Sequence, residues 1–286
     1  MEHKTCLITG ATSGIGKAVA LEMARRGFRV LVLGRSEAKL ARTCKAIARR
    51  GENAEVGAFL ADLSILADVR SVVGIIRSEC DRLDVLVNNA GARYMRHELT
   101  TEGIEKTLAT NHLGHFVLTL GLLDLMKGPN GARIINVSSG THTAARDLIG
   151  NVTSPSFYDG RLQYANSKLA NILFTYKLAE RLKGSKVTVN VVDPGGVASH
   201  FARNNGLVYW LKHVGYYAGR GQLVSSRKGA ETIIYLATSP LVEGITGGYF
   251  AKKAQGRSSL QSYDRSLQER LWALSLKWSR MEPDKS

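Results

Sequence analysis

Apolar and polar positions along this chain follow two alternating periods. Short apolar runs suited to strands buried on both faces lie at Lys4–Thr9, Arg29–Leu33, Ala54–Leu60, Asp84–Val87, Arg133–Val137 and Lys186–Val192, with a brief one at Gly248–Phe250. Between them apolar residues recur every three or four positions. That spacing predicts helices at Gly14–Arg26, Glu37–Arg49, Ile65–Asp81, Glu102–Met126, Arg161–Lys183 and Ser226–Thr238. Strand and helix take turns from Lys4 to Val192 without a linker, repeat or low-complexity stretch. The alternation predicts an α/β fold: one doubly wound, mostly parallel sheet with helices on both faces, in a single domain spanning residues 1–286. Such sheets bind ligands beyond the carboxyl ends of their strands. Gly10, Asp62, Asn88, Ser139 and Pro194 all fall at that edge.

Past Val192 the pattern is less regular. Leu207 to Leu211 and Val214 to Tyr217 are rich in aromatic residues, and residues 200–224 are expected to form a lid over a pocket. A membrane-surface contact and a subunit interface are the competing readings of the same stretch. Leu260, Tyr263, Leu267, Leu271, Leu274 and Trp278 step by three or four, with Arg265, Gln268, Glu269 and Lys277 on the other side. This predicts an amphipathic helix over 258–280, docked on its own domain.

Two local motifs carry chemistry. Tyr164 and Lys168 are four apart on a predicted helix, so phenol and ammonium share a face. A positive neighbour favours phenolate, and a tyrosine so tuned can give or take a proton at a carbonyl or alcohol oxygen. Near the N-terminus, Thr9-Gly10-Ala11-Thr12-Ser13-Gly14-Ile15-Gly16 links a strand to a helix. A glycine turn there lets backbone approach a pyrophosphate while the helix N-terminus offers unpaired N–H groups.

Together these motifs resemble the short-chain dehydrogenase/reductase family. Asn88-Asn89-Ala90-Gly91, Asn111 in Thr110–Phe116, the pair Ser138-Ser139 and Asp193-Pro194-Gly195-Gly196-Val197 fit it in order, over about 250 of the 286 residues. The resemblance implies a Rossmann-type fold. It implies that Tyr164 is the general acid or base, that Lys168 tunes it and holds the nicotinamide ribose, and that Ser139 polarises the substrate oxygen, with Ser138 as the competing serine. Asn111 would hold a water relaying protons from Lys168. The cofactor cleft would be lined by Gly10, Thr12, Ser13, Gly14, Ile15, Gly16, Asp62, Leu63, Asn89, Ala90, Gly91, Pro194, Gly195 and Val197, with Ser199 reaching the carboxamide. Asp62 could equally cap the next helix.

At the end of the second strand the chain reads Leu33-Gly34-Arg35-Ser36, without the carboxylate that would bind ribose hydroxyls. Arg35 can meet a 2′-phosphate and Ser36 can add a hydroxyl, which favours NADP(H) over NAD(H). Asn-His-Leu-Gly-His-Phe at Asn111, Ser-Lys-Leu-Ala-Asn at Ser167 and the 25-residue interval from Ser139 to Tyr164 resemble the retinol-dehydrogenase-like branch. That implies a lipophilic carbonyl compound or alcohol as substrate. The protochlorophyllide reductases are a neighbouring branch. Asp193 stands where a histidine often precedes the Pro-Gly of the family, and is read as capping its loop.

His112 and His115 are three apart but lack a third ligand of suitable spacing, so they are read as packed residues, not as a metal site. His142 lies in the long interval and His200 after the cofactor loop; both stay ambiguous. The three cysteines have no metal spacing and suit a reducing compartment such as the cytoplasm. The chain opens almost directly into a strand, so no signal peptide is expected, and no apolar run reaches the ~18 residues needed to span a bilayer. Net charge is +15, spread along the chain and not gathered in a block. Nucleic acid is therefore not an expected partner, whereas weak peripheral contact with an anionic membrane and a homodimer stay open. A dinucleotide-binding sensor without activity would have no use for Asn111, Ser139, Tyr164 and Lys168 together. A protein working through charge alone would leave the glycine turn unexplained.

Overall fold

The computed structural model describes residues 4–50, 55–153, 157–197, 201, 203–219 and 223–282. It begins β1 (Thr5–Thr9), α1 (Gly14–Arg25), β2 (Arg29–Gly34), α2 (Glu37–Ala48), β3 (Val56–Leu60), α3 (Leu66–Glu79) and β4 (Val85–Asn88). There follow α4 (Lys106–Leu108), a π-helical turn (Ala109–Leu113), α5 (Gly114–Met126), β5 (Ala132–Val137), α6 (Leu148–Thr153), α7 (Gly160–Arg181) and β6 (Val187–Asp193). The chain closes with α8 (Leu207–Ala218), α9 (Ser226–Thr238), β7 (Tyr249–Ala251), β8 (Ala254–Gly256) and α10 (Arg265–Ser279). Sheet order is β3-β2-β1-β4-β5-β6-β7-β8, parallel throughout except for the antiparallel β7–β8 pair. The expected α/β class is therefore observed. The short β8 was not foreseen, because Ala254–Gly256 is exposed and carries no apolar signal.

Side chains alternate across the strands and build one core on each face. Leu7, Leu31, Leu86, Ile134 and Val189 face α3, α5 and α7. Cys6, Ile8, Val30, Val32, Val87 and Ile135 face α1, α2 and α9. Because both faces are covered, the strands read as continuous apolar runs. The strand order reverses beside β1 and β4, which opens a crevice at their carboxyl ends.

Two expected boundaries shift. Glu102–Met126 is not one helix. Residues 100–105 form a turn with Gly103 at φ +76°, Thr100 Oγ1 accepts from the N–H groups of Glu102 and Ile104, and an isolated bridge joins Leu99 to Glu105. The helix starts only at Lys106, where the Glu105 carboxylate accepts from the N–H groups of Thr107 and Leu108. Such a cap satisfies donors that a helix start otherwise leaves open.

The tail helix forms with Leu267, Leu271 and Trp278 against the core as expected, but it begins later: Leu260 and Tyr263 lie in a separate 3-10 turn before it. Its buried residues are Gln268, Leu271, Trp272, Ser275, Leu276 and Ser279, while Leu260 is 90% exposed and Tyr263 about half exposed. Gln268, placed on the polar side from sequence, turns inward because its Nε2 donates to the Ser262 carbonyl. Ser275 is buried as the partner of His112. Trp272 packs edge-on against Phe116 of α5 at 5.1 Å and stacks on Phe174 of α7 at 6.0 Å. Lys177 of α7 pairs with Glu269 of α10. This face of α5 and α7 is thus covered by the chain's own C-terminal segment.

The Trp272 indole N–H makes no hydrogen bond, so packing carries its contribution. Trp272→Ala should lower the unfolding free energy by about 3 kcal/mol, and Trp272→Phe by clearly less. Denaturant titration of both variants measures the difference.

Candidate active site

Every strand end from β1 to β6 contributes to one cavity of about 850 Å³. At the β1 end the chain turns through Gly10, at φ +65°, into α1. A Cβ on Gly10 would stand 2.9 Å from the Ala90 Cα, and one on Gly16 would stand 2.5 Å from the Gly10 carbonyl oxygen. Only glycines permit this close approach of turn, helix and β4 loop. Ser13 precedes α1 without a side-chain cap bond, so the first N–H groups of the helix stay open to a ligand. An extended anionic group fits this cradle.

Thr12, Ser13, Gly14, Ile15 and Gly16 line the cavity, as do Arg35, Ser36, Asp62 and Leu63 at its far end and Asn89, Ala90 and Gly91 in its floor. Pro194, Gly195 and Val197 border the other side. Ser199 and His200 lie outside the described residues. Ser36 precedes α2 and spends no side-chain bond on capping it. Asp62 does not cap α3: its Oδ1 accepts from the Ser64 N–H and hydroxyl, and the first N–H of α3 is instead taken by Glu102. Asp62 and Arg35 face each other at 4.0 Å. Asp193 does cap its loop, accepting from the Gly195 N–H at 2.9 Å.

Tyr164, Lys168 and Ser139 line the same cavity. Ser138 lines it as well, but the two serines of the pair have different partners. Ser138 is buried and donates to the Lys168 carbonyl, whereas Ser139 is half-buried at the cavity wall and its Oγ accepts from the Thr141 N–H. Lys168 donates to the Val137 carbonyl at 3.0 Å, and its Nζ lies 5.6 Å from the Tyr164 ring centre. Burial pushes the Lys168 ammonium down to about 8, and the carboxylate of Asp193 pulls the other way.

Asn111 sits in the π-helical turn outside the cavity wall. Its Nδ2 donates to the Ala92 carbonyl and the Ser167 hydroxyl, and its Oδ1 accepts from the Ala92 N–H. Asn111 thereby clamps the β4 loop to α7. A Cβ on Gly91 would come within 3.4 Å of Lys168 Nζ and 3.5 Å of Asn111 Oδ1, so both groups border one small gap.

The histidines are structural in placement. His115 Nδ1 donates to the Asn111 carbonyl, which leaves Nε2 to accept from Thr9 Oγ1 at 2.9 Å. Thr9 Oγ1 in turn accepts from the N–H groups of Asn89 and Ala90. His112 bonds Ser275 of α10. His142, buried, accepts from the Ser259 N–H and donates to the Ser139 carbonyl, tying the C-terminal segment to the serine pair. Among the described residues no group of three or more metal-ligating side chains occurs.

The segment expected as a lid forms a 3-10 turn (Arg203–Asn205) and α8, and Phe201 and Asn204 from it line the cavity. Asn204 and Asn205 both donate to the Arg93 carbonyl, and Arg93 donates weakly to the Tyr209 hydroxyl at 3.4 Å. Leu207, Val208 and Leu211 face outward, each more than half exposed.

Sequence reasoning missed Lys39, Arg42, Thr43, Arg93, Phe201 and Asn204 among the lining residues. Lys39 and Arg42 carried a signal, being basic, three apart, and just beyond Arg35 on a predicted helix. Arg93 carried none; only the tertiary fold sets it against Tyr164.

This geometry agrees with the relationships of the sequence. The short chain dehydrogenase family profile matches residues 4–207. The chain belongs to the short-chain dehydrogenases. Within them it is retinol-dehydrogenase-like. It is 37% identical to retinol dehydrogenase 14 of Homo sapiens, over 96% of this chain and 86% of that protein. With polyprenol dehydrogenase of Homo sapiens the identity is 35%, over 95% and 84%. A crystal structure of an uncharacterised protein from Mycobacterium Paratuberculosis superimposes with a TM-score of 0.76 at 30% identity, covering 98% of this chain and 94% of that one. As a short-chain dehydrogenase the protein is an oxidoreductase of a family that binds nicotinamide dinucleotides. Among the described residues no helix is long and apolar enough to cross a membrane.

Burial pushes His112 down to about 4 and His115 down to about 3, so both are neutral in the folded protein. The unfolded chain takes up protons on these residues below about pH 6.5, the native state only far lower. Stability is therefore full above that pH and lost as pH falls toward 4. By about pH 5 each histidine should cost on the order of 2 kcal/mol. Denaturant midpoints at neutral and acid pH, for the protein and for His115→Gln, should show a shallower decline in the variant.

Proposed function

We propose that this short-chain dehydrogenase interconverts a lipophilic carbonyl compound and its alcohol with NADP(H), using Tyr164 as the general acid or base. The observation that carries the reading is the meeting of Tyr164, Lys168 and Ser139 with the glycine turn in one cavity. When bound, the dinucleotide supplies or accepts the hydride. The protein's part is to hold and move the proton and to place the substrate oxygen. In reduction the Tyr164 phenol gives its proton to that oxygen; in oxidation the phenolate takes the proton back. Ser139, with its hydroxyl at the cavity wall, steadies negative charge growing on the oxygen. Lys168, desolvated so that its ammonium is pushed down to about 8, stabilises the phenolate and would hold the nicotinamide ribose. Asn111 keeps one acceptor lone pair uncommitted beside that ammonium, which supports a water-mediated path from Lys168 to solvent.

The 2′-phosphate reading rests on Arg35, Ser36, Lys39 and Arg42, which line one end of the cavity. Guanidinium groups suit a phosphate with charge-assisted bonds. Asp62 opposes the reading only in part, because it is already engaged by Ser64 and faces Arg35. The names of the relatives, retinol and polyprenol dehydrogenases, support an apolar substrate. The outward Leu207, Val208 and Leu211 on a chain of net charge +15 support a peripheral seat at an anionic membrane.

Two variants test the assignment. Tyr164→Phe should lower turnover of long-chain aldehydes with NADPH by at least about a hundredfold while NADPH still binds. Turnover equal to the wild type would remove Tyr164 from the mechanism. Arg35→Ala should weaken NADPH binding by about tenfold and leave NADH binding nearly unchanged, as read by cofactor fluorescence. Equal loss for both cofactors would overturn the phosphate assignment.

A further inference from the structure

Arg93 is a charged residue in an unusual place. It is only 7% exposed, in the segment that follows Asn88-Asn89-Ala90-Gly91, and it lines the cavity beside Tyr164. Its guanidinium carbon lies 4.5 Å from the centre of the Tyr164 ring and 5.4 Å from that of Phe201. The two rings are themselves 5.1 Å apart. Nε of Arg93 is buried without a hydrogen-bond partner. The side chain's one polar contact among the described residues is the long bond to the Tyr209 hydroxyl. A buried cation with so little compensation is costly, and here the compensation is an aromatic face.

We propose that Arg93 is a positioning residue for the reaction: its guanidinium over the Tyr164 ring favours the phenolate and thereby sets the pH at which Tyr164 exchanges its proton. The inference rests on the acid–base role proposed for Tyr164 and adds a residue to it. Negative charge on a phenolate spreads into the ring. A cation over that ring therefore binds the ionised form more strongly than the neutral one. Burial removes the water that would screen the effect.

Among the described residues, titratable groups around Tyr164 come from several elements. Lys168 shares its helix, Arg93 comes from the β4 loop, Asp193 from the end of β6 acts through Lys168, and Tyr209 of α8 meets Arg93. Of these cations, Lys168 has its ammonium pushed down to about 8 by burial. A guanidinium does not lose its proton in proteins. Arg93 thus supplies the charge that persists as pH rises.

Asn204 and Asn205 bond the backbone of Arg93, so replacing its side chain leaves these loop contacts intact. Tyrosinate ionisation can be followed by ultraviolet difference titration. Subtracting a Tyr164→Phe protein isolates Tyr164 from the other tyrosines, in the wild-type, Arg93→Met and Arg93→Lys backgrounds. The expected result is a Tyr164 midpoint raised by about one pH unit in Arg93→Met, with a smaller rise in Arg93→Lys. Oxidation of decan-1-ol with NADP⁺ should be about tenfold slower at neutral pH in Arg93→Met and recover at high pH. An unchanged midpoint, or turnover depressed equally at every pH, would overturn the proposal. Should Arg93→Met fail to fold by thermal melting, Arg93→Gln takes its place in the titration: a raised midpoint supports the inference and an unmoved one sinks it. These outcomes are separate from the turnover of Tyr164→Phe, which tests the role of Tyr164 itself.

Discussion

Burial of the sheet on both faces is the constraint from which the site follows. A parallel sheet covered by helices can expose polar groups only at the ends of its strands. Here β1 to β6 run the same way, so the glycine turn, Asp62, the Asn89 loop, the serine pair and the Pro194 loop reach one edge. The reversal of strand order between β1 and β4 keeps that edge from being closed by crossing connections. Chemistry collects there because nowhere else does the core tolerate it.

Behind the cavity, a chain of buried polar groups fixes how the layers register. Asn88 of β4 donates to Thr119 of α5 and to Asn136 of β5, and Asn136 donates to Thr175 of α7. Asn171 and Lys168 both donate to the Val137 carbonyl at the end of β5. Each of these groups would be expensive to bury alone. Linked, they hold α7 against the sheet in one rotation, and that rotation points Tyr164 and Lys168 at the crevice. The Thr9–His115–Asn111 connection does the same for the β4 loop and the π-helical turn. The precision of the site is thus inherited from polar contacts one layer below it.

The C-terminal segment contributes more than a cover. Trp272 fills the space between Phe116 and Phe174, Ser275 bonds His112 next to Asn111, and the Ser259 N–H bonds His142, which bonds the Ser139 carbonyl. Two members of the candidate catalytic set are therefore braced by a segment far away in sequence. Its helix and most of its apolar face were legible, but its start and the inward turn of Gln268 were not. Hydrophobic spacing cannot anticipate that Gln268 and Ser275 find hydrogen-bond partners inside.

Read by itself, the order of residues determined the alternation of strands and helices, the glycine turn, the Tyr164–Lys168 face and the family. Each of these depends on local periodicity or on side chains a turn apart, which a linear chain records directly. The tertiary structure alone decided which partner each serine of the pair takes, that Asp62 does not cap the next helix, where the helix before Asn111 begins, and that Arg93 lies over Tyr164. Those depend on contacts between segments far apart along the chain, whose geometry exists only after the layers have packed.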